Sequence, residues 1–401
     1  MIDGVAILNR AKKEEQELVA FLLDLLAVPS LSGKEGQIAQ RIEAEMRRLG
    51  FDEARIDGLG NVIGRIGEGP RLVAFDAHMD TVDAGDRAQW SFDPFRPRVY
   101  EGKVWGRGAA DQKSGLASMV HAGRIIRELG LGRDLTVLFI GSVQEEDCEG
   151  RAWKYLVEEE KIRPELVVLT EPTSLNICRG HRGRMEIQVE VRGRSCHGSA
   201  PERGDNAIYK AARLALEIER LNEKLPVDPF LGKGTIAVTE VTSGSPSLCA
   251  VPDTARLHID RRLTAGETKE TAVAGIHEAA HSAGIPEAMI FVPEHHEPSY
   301  TGRVFPFEKY FSTWIIEESS PCLEKAASAY AVLFGREPKV GKWAFSTNGV
   351  GIVPPYGIPC LGFGPGNEAQ AHAVDEYCSI EDLPRAAAFY AALVATLSGK
   401  G

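Results

Sequence analysis

Leu18, Phe21, Leu22, Leu25 and Leu26 recur at helical spacing, so residues 11–28 are predicted to form an amphipathic helix that ends at Pro29. A second helix is predicted over 35–50, stopping at Gly50. Apolar runs of strand length then alternate with helical segments as far as about residue 180: "NVIGRIG", "RLVAFDAH", a helix over 114–129, "LTVLFIGSV", a helix over 150–160, and "ELVVLT". That alternation predicts a mostly parallel sheet flanked by helices, an α/β fold. The period changes near Arg182. "RMEIQVEVRG" alternates strictly, with Met185, Ile187, Val189 and Val191 on one side, as in a half-exposed antiparallel strand. A helix over 205–223, the strands "GTIAVTEVTSG" and "TARLHIDRRLT", a helix over 267–283 and "AMIFVP" complete the order β-α-β-β-α-β. This is the ferredoxin-like split motif. The α/β pattern resumes after about 310. Residues 1–183 and 297–401 therefore read as one α/β domain, and 184–296 as an inserted α+β lid. Its two connections predict hinge closure, and its open sheet edge predicts a dimer surface.

The chain has 401 residues, 43% hydrophobic and 26% charged, with a net charge of −11. An acidic surface disfavours nucleic acid and anionic membranes as partners. The seven cysteines are scattered without a C-x-x-C pair, so no disulfide framework is predicted and a reducing cytoplasm fits. The opening "MIDGVAILNRAKKEEQ" turns charged too early for a signal peptide. "LVAFLLDLLAV" is too short to span a bilayer and carries Asp24.

Candidate chemistry gathers where predicted strands end. His78, Glu146, Glu171 and His372 each follow a strand-like run, and Asp111 precedes the helix over 114–129. Ligands of open α/β sheets bind beyond the carboxyl ends of the strands. Imidazole and carboxylate together suit zinc, and a shared carboxylate can hold two metals about 3.5–4 Å apart. Taken singly, each residue has a plainer reading. Asp111 suits a helix N-cap, "EEDCEG" around Glu145 and Glu146 suits a solvated loop, Glu171 suits a turn before Pro172, and His372 suits the surface. Asp80, two residues after His78, can reach toward that ring and fix its tautomer. "HEAAH" at 277–281 matches a zincin motif, but Ile276, Ala280 and Ala283 make its helix look like a packing element of the lid. The basic run Arg179, Arg182, Arg184, Arg192 and Arg194 reads as a cleft lining or a solvated strand face.

Collinear segments carry a resemblance: "HMD" at 78–80, "GRGAADQKSG" at 106–115, "QEE" at 144–146, "TEP" at 170–172, "SCHGSAP" at 195–201, "VPDTARLHIDRR" at 251–262 and "GPGNEAQAHAVDEY" at 364–377. The chain resembles the di-zinc amidohydrolases that include carboxypeptidase G2, aminoacylase-1, acetylornithine deacetylase and succinyl-diaminopimelate desuccinylase. Through "SVQEEDCEG", "DRRLTAGET" and "FSTNGV" it is most similar to the selenium-metabolism-linked hydrolases. The resemblance implies a zinc-exopeptidase-like fold and two Zn2+ per subunit, with Co2+ or Mn2+ as alternatives. His78 and Glu171 would hold one ion, Glu146 and His372 the other, and Asp111 would bridge them. Glu145 would be the general base and Asp80 would orient His78. His197 would cross a homodimer interface to stabilise the oxyanion. Arg262 would bind the substrate carboxylate, with Ser346, Thr347 and Asn348 beside it. Cys249 replaces an asparagine common in the family, which leaves the substrate class open. The implied activity is hydrolysis of an amide in a small carboxylate-bearing substrate, such as an N-acyl amino acid. A dipeptidase or carboxypeptidase is the alternative, followed by a non-catalytic metal-binding protein.

Overall fold

A computed structural model describes residues 3–399. Helix α1 (Gly4–Leu26) starts seven residues before the predicted boundary, because Ile7 and Ala11 extend the buried stripe and the Asp3 carboxylate caps the Ala6 N–H. Helix α2 (Gly36–Arg48) buries Ile38, Ile42 and Met46. Strands β1 (Glu53–Ile56), β2 (Val62–Ile66) and β3 (Arg71–His78) follow, then α3 (Lys113–Glu128), β4 (Leu135–Ser142), α4 (Arg151–Glu158), β5 (Leu166–Leu169) and β6 (Ile177–His181).

Strand β7 (Gly183–Arg192) opens a second sheet. It is followed by α5 (Ala207–Lys224), β8 (Thr235–Gly244), β9 (Thr254–Leu263), α6 (Lys269–Ser282) and β10 (Met289–Phe291). Strand β11 (Tyr310–Phe311) adds a short pairing to β7, and β12 (Trp314–Ile315) returns to β6. Helix α7 (Pro321–Phe334), β13 (Val340–Trp343), β14 (Cys360–Gly362) and α8 (Asp382–Leu397) complete the larger unit.

The large sheet runs β1-β2-β4-β3-β5-β14-β6-β12, with β13 also on β6. Its centre, β4-β3-β5-β14, is parallel. The β1-β2 hairpin and the β6-β12 pair are antiparallel and form the flanks. Helices α1, α3 and α8 pack together on the sheet, burying Phe21, Leu25, Ile125, Phe389 and Tyr390 among others. The second sheet runs β8-β9-β7-β10. Met185, Ile187, Val189 and Val191 of β7 are buried with Leu214 of α5 and Ile276 of α6 in a hydrophobic cluster separate from the main one. Among the described residues, no helix is long and apolar enough to cross a membrane.

Candidate metal centre and cavity

Parallel pairing places the site. His78 is the last residue of β3 and lies opposite Ser142, the last of β4, while Asp76 lies opposite Leu169, the last of β5. The chain leaving β4 therefore carries Glu145 and Glu146, and the chain leaving β5 carries Glu171, to the same edge as His78. The loop before α3 brings Asp111, and the turn around His372, itself at φ 60°, closes the set. His78 Nε2 lies 2.9 Å from Asp111 Oδ1 and 3.9 Å from Glu171 Oε1. His372 Nε2 lies 2.9 Å from Glu146 Oε2 and 3.5 Å from Asp111 Oδ2. One carboxylate, Asp111, thus faces both imidazoles with its two oxygens. Two overlapping groups converge within 4.8 Å: His78 with Glu145 and Glu171, and His78 with Asp111 and Glu146.

Supporting contacts fix these groups. The nearest Asp80 atom to His78 Nδ1 is the backbone carbonyl at 2.9 Å, with the carboxylate at 3.5 Å. The Asp80 carboxylate is occupied elsewhere: it accepts the Glu145 and Glu146 N–H groups and the Ser32 hydroxyl. It therefore aims two acidic side chains as well as acting on His78. Gln112 Nε2 donates to Glu171 Oε1 at 2.6 Å, and Gln112 Oε1 accepts from Thr170. Glu376 is an anchor that sequence patterning missed. Its carboxylate accepts from Arg107 and from the Gly108, Ala110 and Asp111 amides at 2.7–2.9 Å, so it shapes the whole loop before α3.

The charge balance of the site bears on whether it fits a metal. Burial pushes Glu145 and Glu171 well above the ordinary carboxylate range, and burial with the nearby Asp111 charge raises Glu146. Burial alone would depress His78, but its bonds to Asp111 and Asp80 and the surrounding acids hold it well above its ordinary value. Among the described residues, Glu145 Oε1 and Glu171 Oε2 are buried without a hydrogen-bond partner. Unpaired buried carboxylate oxygens are costly unless cations offset them. Two imidazoles and four carboxylates at these distances fit a site for divalent cations.

The site opens into a cavity of about 350 Å³ whose lining includes Glu149, Arg184, Arg262, Phe345, Ser346 and Glu368. Arg262 is held in a two-point contact by Asp260 at 2.7 and 3.0 Å. Arg184, directly opposite it across β7 and β9, pairs with Glu149 at 2.8 Å. Ser346 Oγ is buried beside the cavity and has no hydrogen-bond partner among the described residues. Its neighbours turn away: Thr347 bonds to His181, and Asn348 is committed to Asp76, Ser142 and the Gly150 amide. Those two residues shape the loop from behind: both Asn348 amide hydrogens go to Asp76 and Ser142, and the Thr347 hydroxyl meets His181.

His197 is exposed, with Nδ1 near Ser199, and does not line this cavity in its own chain. Cys249 is also exposed, on the loop between β8 and β9, where its carbonyl accepts the Gly198 amide. His277 and His281 lie on the solvent side of α6, and neither belongs to a converging ligand group among the described residues. The basic run is dispersed. Arg179 caps Ile316 and pairs with Glu318, Arg182 donates to the Lys233 carbonyl, and Arg192 pairs with Glu190.

The profile of peptidase family M20/M25/M40 matches residues 74–304 and 304–396, which span every residue of the centre. The chain belongs to this family. M20 membership makes it a metallohydrolase by family, and the mixed α/β architecture agrees. The chain is 49% identical over 387 residues to the protein YgeY of Escherichia coli K12, covering 96% of each. It is 24% identical to a probable succinyl-diaminopimelate desuccinylase of Staphylococcus aureus, covering 91% of this chain and 95% of that one. Its fold matches the crystal structure of aminopeptidase PepT from Bacillus cereus with a TM-score of 0.72 at 22% identity, covering 96% and 99% of the two chains.

Proposed function

We propose that this M20 protein hydrolyses the amide bond of a small carboxylate-bearing substrate, with N-acyl amino acids as the preferred class. The observation that carries the reading is the placing of Glu145, with one unpartnered oxygen, beside His78, Asp111, Glu146 and Glu171 at one cavity. His78 and Glu171 would hold one zinc ion, Glu146 and His372 the other, with Asp111 between them. With ions held there, the chemistry supplied is a water whose pKa falls toward about 7 and a polarised carbonyl oxygen. Glu145 takes a proton from the attacking water at Oε1 and returns it to the leaving amine. Arg262, aimed by Asp260, receives the substrate carboxylate. His197 of the partner subunit, contributed by a second copy docked through the lid, would face the developing oxyanion. The exposed position of His197 supports that role, and the seven free thiols support a cytoplasmic setting.

A dipeptide is the second reading, supported by relatives named as peptidases and by the same carboxylate contact at Arg262. The test is to count bound metal and assay N-acetyl, N-succinyl and N-carbamoyl amino acids beside dipeptides. Glu145→Gln should keep its metal and lose about 10²–10⁴-fold in kcat. Full turnover by Glu145→Gln would overturn the mechanism, and turnover confined to dipeptides would select the second reading.

A further inference from the structure

Arg151, the first residue of α4, is fully buried, and among the described residues it forms no ion pair with a carboxylate. Its guanidinium goes to three neutral oxygens: the Gln144 side-chain carbonyl, the Phe305 carbonyl at 2.8 Å and the Glu297 carbonyl at 3.2 Å. Burying a cation against neutral acceptors is an expensive way to fill space, and an apolar side chain of similar volume would pack there at lower cost. The positions of its partners are informative. Glu297 and Phe305 lie on the segment between β10 and β11, which leaves the small sheet, packs on the large unit through Tyr300 and Phe305, and re-enters the small sheet at β11. Gln144 immediately precedes Glu145 and Glu146.

The turn at Gln144 is held under constraint. Gln144 sits at φ 54°, a conformation unfavourable for a residue with a Cβ. Its N–H donates at 3.0 Å to Glu35, itself fully buried. Its side chain is gripped by Arg151, and the next two amides are gripped by Asp80. Farther along the same loop, Glu149 pairs with Arg184 of β7, and the Asp147 carbonyl accepts from Lys309. The loop that carries Glu145 and Glu146 is thus tied to β7 of the small sheet and to the segment between β10 and β11.

We propose that Arg151 is a positioning residue that couples the 297–305 segment, whose two ends enter the small sheet, to the Gln144 turn, so that movement of the lid and the aim of Glu145 are one linked event. This rests on the reading of Glu145 as the base. A coupling of this kind needs a contiguous element with discrete contacts at both ends, and the Arg151 guanidinium supplies one. No change of protonation is required. The coupling works through geometry, since the arginine stays charged and only its acceptors shift.

The test uses metal-loaded full-length protein and two variants, Gln144→Met and Arg151→Met. Gln144→Met removes one acceptor and leaves both bonds to the 297–305 segment in place. Hydrogen exchange is followed in segments 143–150 and 297–305, and turnover is measured on whichever amide the panel identifies. The expected result is that Gln144→Met speeds exchange about tenfold in both segments, the scale of one lost hydrogen bond. It should also lower kcat by up to about 10²-fold through misplacement of the base, with KM changed much less and metal retained. Arg151→Met should give the same pattern, and the double variant should be no worse than either single one. Faster exchange confined to 143–150 in Gln144→Met, or effects that multiply in the double variant, would overturn the coupling. If Arg151→Met does not fold, Gln144→Met decides alone. If no amide is turned over, the exchange result still decides the coupling, and only the reading of Glu145 as base fails.

Discussion

Glu376 illustrates how a single side chain can set a site from outside it. Four donors converge on its carboxylate, one from buried Arg107 and three from backbone amides leading to Asp111. Glu376→Ala would leave Arg107 buried without its counter-charge, which typically costs about 3–5 kcal/mol. The expected outcome is a large fall in urea stability together with weakened metal binding, whereas Glu376→Gln should recover part of the stability by still accepting hydrogen bonds. His181 makes a pH prediction. Burial lowers it to about 4, and its Nε2 accepts from Trp314 and the Thr347 amide, which a neutral ring does well. Above pH 6.5 the ring is neutral in both folded and unfolded chains. As pH falls from 6.5 toward 4, the unfolded chain takes up a proton that the folded chain refuses, so stability drops by up to about 3 kcal/mol. Unfolding measured at pH 7 and pH 4.5 should show a smaller loss in His181→Gln than in the wild type. The residues that were legible in the sequence are those whose local motif announces them, such as His78 before Asp80 or the paired Glu145 and Glu146. Glu376 was not legible, because its partner Arg107 lies 269 positions away and no spacing rule connects them. The family resemblance places Thr347 and Asn348 on the loop beside the substrate, but their side chains are spent on His181, Asp76 and Ser142, which only tertiary packing reveals.

Between elements, the decisive contact is α3 against the end of β5. Gly115 in the first turn of α3 is so close to the sheet that an added Cβ would stand 2.2 Å from the Thr170 carbonyl and 2.7 Å from its hydroxyl. The same approach lets Gln112 reach both Thr170 and Glu171, so the helix start that carries Asp111 is joined to the strand end that carries Glu171. Gly115→Ala must therefore push helix from strand. Overpacking of this kind costs about 1–3 kcal/mol, and here it should also widen the gap between two ligands. Denaturation and metal titration of the variant would check both, and unchanged metal affinity would show that the loop rather than the helix sets Asp111. Hydrophobic period located helices α2 to α6 to within a few residues, because burial on one face is a local property of the sequence, whereas α1 begins seven residues before its predicted start and α7 and α8 received no bounds. It did not distinguish the antiparallel flank of the large sheet from its parallel centre: "NVIGRIG" in β2 and "LTVLFIGSV" in β4 are both apolar runs, yet they pair antiparallel. Direction depends on how the chain returns, and the short hairpin from β1 fixes it without leaving a mark on composition.

Across the whole molecule, the converging imidazoles and carboxylates belong to the unit of the large sheet and His197 to that of the small sheet, on a surface that its own cavity does not touch. Strand β8 is an exposed edge of the small sheet, with Val241 uncovered. An open edge of this type invites a second copy. If the partner supplies His197, then Glu145→Gln and His197→Ala damage different halves of each composite site. Each variant alone should be nearly inactive. In a mixture allowed to exchange subunits, the heterodimer holds one site with both defects and one with neither, so activity should recover to about a quarter of wild type in a closed two-fold assembly. Recovery would require subunits to share a site, because two inactive monomers cannot repair each other. Persistent inactivity despite demonstrated exchange, or full activity of His197→Ala alone, would confine the chemistry to the single chain. The oxyanion would then need a donor from within the cavity, where Ser346 holds an unpartnered hydroxyl and is the first residue to replace.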